Sequence, residues 1–107
     1  MATAKLEHLN LTVSNPQATA RWINRVFGWT IRWEGPAMQT GHTIHIGDDE
    51  GYIALFSPGE TTAGDDDSYR TAGGFNHWAV VVDDLDAVEA RVQAEGFKPV
   101  NHASYEP

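Results

Sequence analysis

The first clear hydrophobic pattern lies in Leu6–Val13, where apolar and polar residues alternate in twos. Such alternation predicts a β-strand with one packed face and one polar face. The polar face carries His8, Asn10 and Thr12. Helical spacing of apolar residues follows, and it predicts a helix over Pro16–Phe27. Ser14, three residues before Gln17, is typical of a helix start, and Gly28 is typical of a helix end.

Three further strands are predicted after this helix, separated by residues that favour turns. They span Trp29–Glu34, Thr40–Gly47 and Tyr52–Ser57. Turns are predicted around Gly35-Pro36 and at Asp48–Gly51. The first unit, residues 5–57, therefore has the order βαβββ.

The pattern begins again after a polar segment. Residues 58–74 are rich in Gly, Asp, Ser and Thr, and they predict a linker. Phe75–Val82 predicts a second opening strand. The apolar positions after it predict a helix that starts at Asp83 or Asp84 and ends at Gly96. A last strand is predicted at Phe97–Ala103.

The two halves of the chain match each other in register. A shift of 69 residues places His8 on His77, and a shift of 68 places Gly28 on Gly96. This agreement indicates an internal duplication. The second unit, residues 75–107, supplies only a βαβ pattern, so its last two strands are expected past the end of the printed sequence. Residues 1–107 are thus predicted to form one domain built from two units, the second truncated.

Composition narrows the classes of partner. The chain has no cysteine, which excludes disulfides and thiolate metal sites. Its 7 Lys and Arg against 15 Asp and Glu give a net charge of -8, which argues against a nucleic-acid partner. No apolar run approaches the length that spans a bilayer. We therefore expect a cytoplasmic protein with neither a nucleic acid nor a membrane as its partner.

The segments LEHLNLTVSNP, FGW, GYIALFSP and FNHWAVVVDDLDAVEARVQAEGF, in this order and spacing, resemble the vicinal oxygen chelate superfamily. That superfamily includes glyoxalases, extradiol dioxygenases, fosfomycin-resistance enzymes and bleomycin-binding proteins. The resemblance covers Lys5–Ala103. It implies an α+β fold in which paired βαβββ units form an open half-barrel. The concave face of such a half-barrel holds a divalent metal that chelates adjacent oxygens of a substrate.

The resemblance also implies a metal site. His8 and His77 match the two histidine ligands of the superfamily, and the carboxylate position of the first unit falls on Ala54. The matching carboxylate of the second unit is expected beyond Pro107. Imidazole and carboxylate ligands suit Zn, Fe, Mn or Ni. Two imidazoles alone hold such an ion weakly, so a chain without a metal is the alternative.

Four residues are predicted to contact a small-molecule ligand: Asn10, His45, Tyr52 and Phe56. For His45 the alternative is a partly exposed strand histidine without a role in binding, which is the commoner outcome for such a residue. Asn10 shares a face with His8, whereas Tyr52 and Phe56 point away from the apolar residues of their strand. No nucleophile with an adjacent base is present, so no catalytic residue is assigned.

The strand predicted at Trp29–Glu34 has one set of side chains on each of its two faces. Trp29, Ile31 and Trp33 alternate with Thr30, Arg32 and Glu34. One set is expected to pack under a helix and the other to meet solvent or ligand. Arg32 is either a contact for an anionic substrate or an exposed strand residue.

Two functions remain open. The first is a metal-dependent lyase, isomerase or dioxygenase that acts on a small oxygenated molecule, and the histidine pair favours it. The second is a non-catalytic module that binds or sequesters a small molecule, as in the bleomycin-resistance branch, and Ala54 favours it. A homodimer is expected for either function.

Overall fold

The framework of the chain is a four-stranded sheet, seen in a computed structural model that describes residues 2–38, 40–64 and 67–100. The strands are β1 (His8–Thr12), β2 (Thr30–Ala37), β3 (Gly41–Gly47) and β4 (Tyr52–Ser57), and the helices are α1 (Pro16–Phe27) and α2 (Leu85–Ala94). The strand order is β1-β4-β3-β2. β2, β3 and β4 form an antiparallel meander, and β1 pairs with β4 in parallel. This mixed α+β architecture with an open sheet confirms the predicted fold class.

The apolar core lies between α1 and one face of the sheet. Its buried members are Ala20, Ile23, Ile44, Ile46, Ile53 and Leu55. Because successive residues of a strand face opposite sides, the same strands present a second set of side chains on the other face. We call that side the open face, and it carries His8, Asn10, Thr43, His45, Tyr52 and Phe56.

The first helix has the predicted bounds, but its cap differs from the prediction. Asn15, not Ser14, is the N-cap, and its side-chain oxygen accepts a hydrogen bond from the backbone N–H of Ala18 at 3.0 Å. Gly28 ends the helix with a φ of 75°, a left-handed conformation that glycine adopts without a steric penalty. Neither α1 nor α2 is long and apolar enough to cross a membrane, and the described part of the chain contains no other candidate.

Replacing Asn15 by Ala should lower the free energy of unfolding by about 1 kcal/mol, because one of the first N–H groups of the helix loses its acceptor. The matched control is Ser14→Ala, which removes a neighbouring hydroxyl that caps nothing and should change stability by less than about 0.5 kcal/mol. Urea denaturation of the two variants measures the difference. Equal losses in both would contradict the assignment of the cap.

The second strand differs from its prediction in extent and in the faces of its side chains. It continues through Gly35-Pro36, which was predicted as a turn, because an edge strand tolerates a proline without a ladder hydrogen bond. A β-bulge interrupts it, so that Ile31 lies opposite Ile46 whereas Trp33 lies opposite His45. The prediction that Ile31 and Trp33 share a face is therefore wrong.

The two strands predicted in the second unit are not formed in the described residues. Phe75–Val82 has no hydrogen-bonded neighbour there, and a strand needs such a partner for its backbone groups. Residues 97–100 are likewise outside any strand, and 101–103 lie beyond the described residues. Trp78 holds the first of these segments by packing on Trp29, with ring centroids 6.0 Å apart.

The second helix is confirmed and lies against the first. Asp84 caps it by accepting a hydrogen bond from the Ala87 N–H at 3.1 Å, which decides between the two predicted caps. Arg25 on α1 forms a bidentate ion pair with Glu95, at 2.6 and 2.7 Å. The Arg91 side chain donates to the carbonyl of Val26 at 2.8 Å, so the C-terminal ends of the two helices are joined.

Candidate functional site

Four ring side chains stand next to one another across the open face, one from each strand. They are His8 on β1, Tyr52 on β4, His45 on β3 and Trp33 on β2, and we call them the ring row. The centroids of His8 and Tyr52 are 4.8 Å apart with planes 8° from parallel, and those of Tyr52 and His45 are 4.5 Å apart at 22°. Trp33 follows His45 at 5.2 Å. Tyr52 is thus stacked against two imidazoles.

The β-bulge in β2 determines what stands at the end of the ring row. It places two residues, Arg32 and Trp33, opposite His45. The guanidinium carbon of Arg32 lies 4.7 Å from the centroid of the Tyr52 ring, which is within the range of a cation–π interaction. One irregularity in the backbone therefore brings both an aromatic ring and a positive charge to the open face.

A depression of about 300 Å³ lies beside the ring row. Its lining consists of Asn10, Ala37, Met38, Thr43, His45 and Phe56. Three of the four predicted ligand contacts, Asn10, His45 and Phe56, thus meet in one place. Tyr52 lines a neighbouring cavity of about 210 Å³ that also includes His8. A few polar groups that converge in a mostly apolar concavity are typical of a small-molecule site.

A wider depression, about 530 Å³, lies on the other side of the sheet between α1 and β2. Arg21, Ile31 and Glu34 border it, and none of the predicted site residues does. Glu34 is already paired there with His42, whose Nε2 is 3.1 Å from a carboxylate oxygen. This depression is larger than the one beside the ring row, but the convergence of polar groups and rings favours the open face.

The environment of His45 favours its neutral form. Partial burial lowers the pKa of His45 from its ordinary value of 6.5, and electrostatic interactions with His8 and Arg32 lower it further. Glu7 opposes this effect through its own charge. His8 is held separately, with Nδ1 2.9 Å from a carboxylate oxygen of Glu7. At neutral pH, His45 is therefore an uncharged group that can accept a proton or a hydrogen bond.

The free energy of unfolding should decrease as the pH falls below about 6.5, the pKa of an unperturbed histidine. Below this pH the unfolded chain takes up a proton at His45 more readily than the folded chain does, so protonation favours unfolding. His45→Gln should flatten this part of the stability profile. The control is His42→Gln on the opposite side of the sheet, which keeps the contribution of His45. A slope that His45→Gln leaves unchanged would contradict the pKa shift.

The two predicted metal ligands have different partners. His8 belongs to the ring row, whereas the Nδ1 of His77 is hydrogen-bonded to the side-chain oxygen of Asn76. Ala54 lies 2% exposed at the expected carboxylate position, between Asn10 and His45 in the strand register. No three His, Asp or Glu side chains of residues 2–38, 40–64 and 67–100 are placed to hold a metal ion. Within these ranges, His8 and His77 therefore lack the third ligand that the prediction also expects beyond Pro107.

Sequence reasoning left Trp33 out of the site and gave Arg32 two alternatives. Strict alternation places these two neighbours on opposite faces, and only the bulge brings both to the ring row. The sequence shows that an Arg and a Trp are neighbours in this strand, but it does not show that both belong to the site. That depends on the position of the bulge, which is set by the pairing of β2 with β3.

Comparison with known proteins gives a family and a fold. A family model described as the Glyoxalase/Bleomycin resistance protein/Dioxygenase superfamily matches residues 5–104. A glyoxylase/bleomycin resistance protein/dioxygenase domain from Frankia sp. EAN1pec superimposes with a TM-score of 0.73 at 22% identity, over 89% of this chain and 71% of that chain. No curated protein matches the sequence.

Two further crystal structures share the fold. One is the fosfomycin resistance protein FosX from Listeria monocytogenes in complex with Mn(II) and a sulfate ion, with a TM-score of 0.67, 14% identity, and 91% and 75% of the two chains covered. The other is TioX from Micromonospora sp. ML1, with a TM-score of 0.59, 24% identity, and 97% and 82% covered. At these identities the likeness extends to the fold alone.

Proposed function

The chain belongs to the glyoxalase/bleomycin resistance protein/dioxygenase superfamily, and from this premise we propose that it binds a small oxygenated molecule on the open face of its sheet. The observation that carries the proposal is the depression beside the ring row, where Asn10, Thr43, His45 and Phe56 converge. These residues come from three different strands, so the sheet holds them in a fixed arrangement.

The chemistry of these side chains suits a ligand with an apolar body and oxygen atoms at one edge. Phe56 supplies an aromatic surface for the body. The Asn10 amide both donates and accepts, the Thr43 hydroxyl does the same, and neutral His45 does so through its two ring nitrogens. An aromatic surface and hydrogen-bonding groups are sufficient to bind a ligand without converting it. A binding or sequestering role is therefore the function that these residues support best.

The test uses catechol as a probe and records backbone amide shifts by NMR. We expect the largest shifts at Asn10, Thr43, His45 and Phe56, and a weaker affinity in Phe56→Ala. Tyr69→Ala is the matched control, because Tyr69 is 72% exposed and lies outside the open face. Shifts confined to the depression around Arg21 would show that the open face is not the site.

A second candidate function, a divalent-metal-dependent lyase, isomerase or dioxygenase, is favoured by the register of His8 with His77. Under this proposal the two imidazoles would hold Zn, Fe, Mn or Ni, and the metal would polarise adjacent oxygens of the substrate. The carboxylate that completes such a site is not among the described residues. We therefore derive no catalytic step through a metal.

Catechol and resorcinol distinguish the two candidates, because only catechol has adjacent oxygens that can chelate one ion. If the metal candidate holds, added Mn(II) should tighten catechol binding but not resorcinol binding, and the double variant His8→Ala, His77→Ala should abolish the gain. If Mn(II) has no effect while both phenols bind the open face, the binding role stands alone.

The resemblance further implies a homodimer, which we propose for this chain together with a cytoplasmic location. The strand order supports association through β1, since β1 is hydrogen-bonded to a described strand only along its β4 side. Sedimentation equilibrium over a range of concentrations measures the oligomeric state directly.

A further inference from the structure

The open face carries the cation Arg32 in a chain that is acidic overall. Acidic residues outnumber Lys and Arg by 15 to 7 overall, yet the side chains around the ring row include Arg32 and two imidazoles. The acidic group near them is Glu7, which is paired with His8. No acidic residue lines the described depression. A ligand at this place therefore meets no acidic lining residue, and Arg32 stands nearby over the Tyr52 ring.

Arg32 is held in position without being neutralised. Its guanidinium lies over the Tyr52 ring, and within the described ranges it forms no salt bridge. By contrast, Arg25 on the other side of the sheet is occupied by its bidentate pair with Glu95. An arginine that is placed by a ring and lacks a carboxylate partner retains the forked donors that match an incoming carboxylate.

The charge of Arg32 reaches the depression. His45 both lines the depression and stacks on Tyr52, the ring that Arg32 covers. The positive charge of Arg32 is one of the causes that lower the pKa of His45. The positive charge that disfavours protonation of His45 would attract an anion bound between Arg32 and His45.

We propose that the ligand of the open face is a small aromatic carboxylate, with its carboxylate at Arg32 beside His45 and its ring against Phe56. The inference rests on the proposed function and adds the class of ligand. Under this proposal, Arg32 is the residue that makes the open face bind an anionic ligand more tightly than a neutral ligand of the same shape. Because binding and protonation are linked, the bound anion must also raise the pKa of His45.

The probes are benzoate and benzamide, which have nearly the same shape and differ in charge. At low ionic strength the wild-type protein should bind benzoate about tenfold more tightly than benzamide, the effect of one charge-assisted hydrogen bond. Arg32→Gln should remove this preference, and Arg32→Lys should retain part of it. The matched control is Arg21→Gln, which removes a positive charge on α1 on the opposite side of the sheet. NMR titration should show a higher pKa of His45 with benzoate but not with benzamide.

Equal affinities for the two probes at the open face, or a preference that survives in a folded Arg32→Gln variant, would overturn the class of ligand and leave the proposed function standing. If benzoate, benzamide and catechol all leave the amides of Asn10, Thr43 and Phe56 unshifted, the proposed function itself fails. Circular dichroism of each variant establishes that it is folded before binding is compared.

Discussion

Leu55→Ala should lower the free energy of unfolding by about 2–5 kcal/mol. Leu55 is fully buried on β4, which is hydrogen-bonded to a strand on each side, and it belongs to the core beneath α1. Because the sheet cannot close around the missing atoms, truncation leaves a cavity as well as removing apolar contacts. A domain of this size has only about 5–15 kcal/mol of stability in total, so the loss is a large share of it.

Urea denaturation followed by far-UV circular dichroism measures this loss. The control is Leu6→Ala, since Leu6 is 78% exposed and its truncation should change stability by less than about 0.5 kcal/mol. If the two variants were equally stable, the packing of β4 against α1 would be wrong.

Gly47→Ala should destabilise the fold by about 3 kcal/mol or more and disrupt the open face as well. A β-carbon at Gly47 would overlap the carbonyl oxygen of Gly51 and come within 2.6 Å of the Tyr52 Cα. Both are backbone atoms that cannot rotate away, so β3 and β4 must separate at this end. Tyr52 would move with them, and its stacking on His8 and His45 depends on its present position.

The measurements are the urea midpoint and the affinity for catechol, both of which should fall in Gly47→Ala. Gly64→Ala is the matched control, because no heavy atom of the described residues lies within 4 Å of a β-carbon built there. A Gly47→Ala variant with wild-type stability would contradict the close approach of the two strands.

Much of the first unit could be predicted from its sequence because its signals are local. The bounds of α1 and β4 match their predictions, since a 3.6-residue period that stops at Gly28 and an alternating run starting at Tyr52 each specify one structure. The N-cap was misplaced by one residue. Ser14 and Asn15 both have suitable side chains, and only the backbone conformation decides which of them accepts the hydrogen bond.

In the second unit, local sequence patterns predicted the helix correctly but not the strand. Phe75–Val82 has a strand-like pattern, but a strand forms only beside a partner, and none is present among the described residues. Its helix formed as predicted because a helix satisfies its own hydrogen bonds.

The candidate site was predictable to the extent that alternation determines faces. Asn10, His45 and Phe56 were assigned to ligand-facing positions, and they meet in one depression. Arg32 and Trp33 could not be placed in the same way, because an extra residue in β2 reverses the alternation and its position is a property of the pairing with β3. The assignment of His8 and His77 as metal ligands remains a prediction.

The parallel pairing of β1 with β4 has a consequence for the order of folding. Trp33, His45 and Tyr52 all lie on the antiparallel meander, whose contacts are close in sequence and therefore form rapidly. His8 can reach Tyr52 only when the chain has closed a loop that contains α1, β2 and β3, which is a slower step. We therefore expect the open face to be completed late in refolding, after the fluorescence of Trp33 has reached its native value.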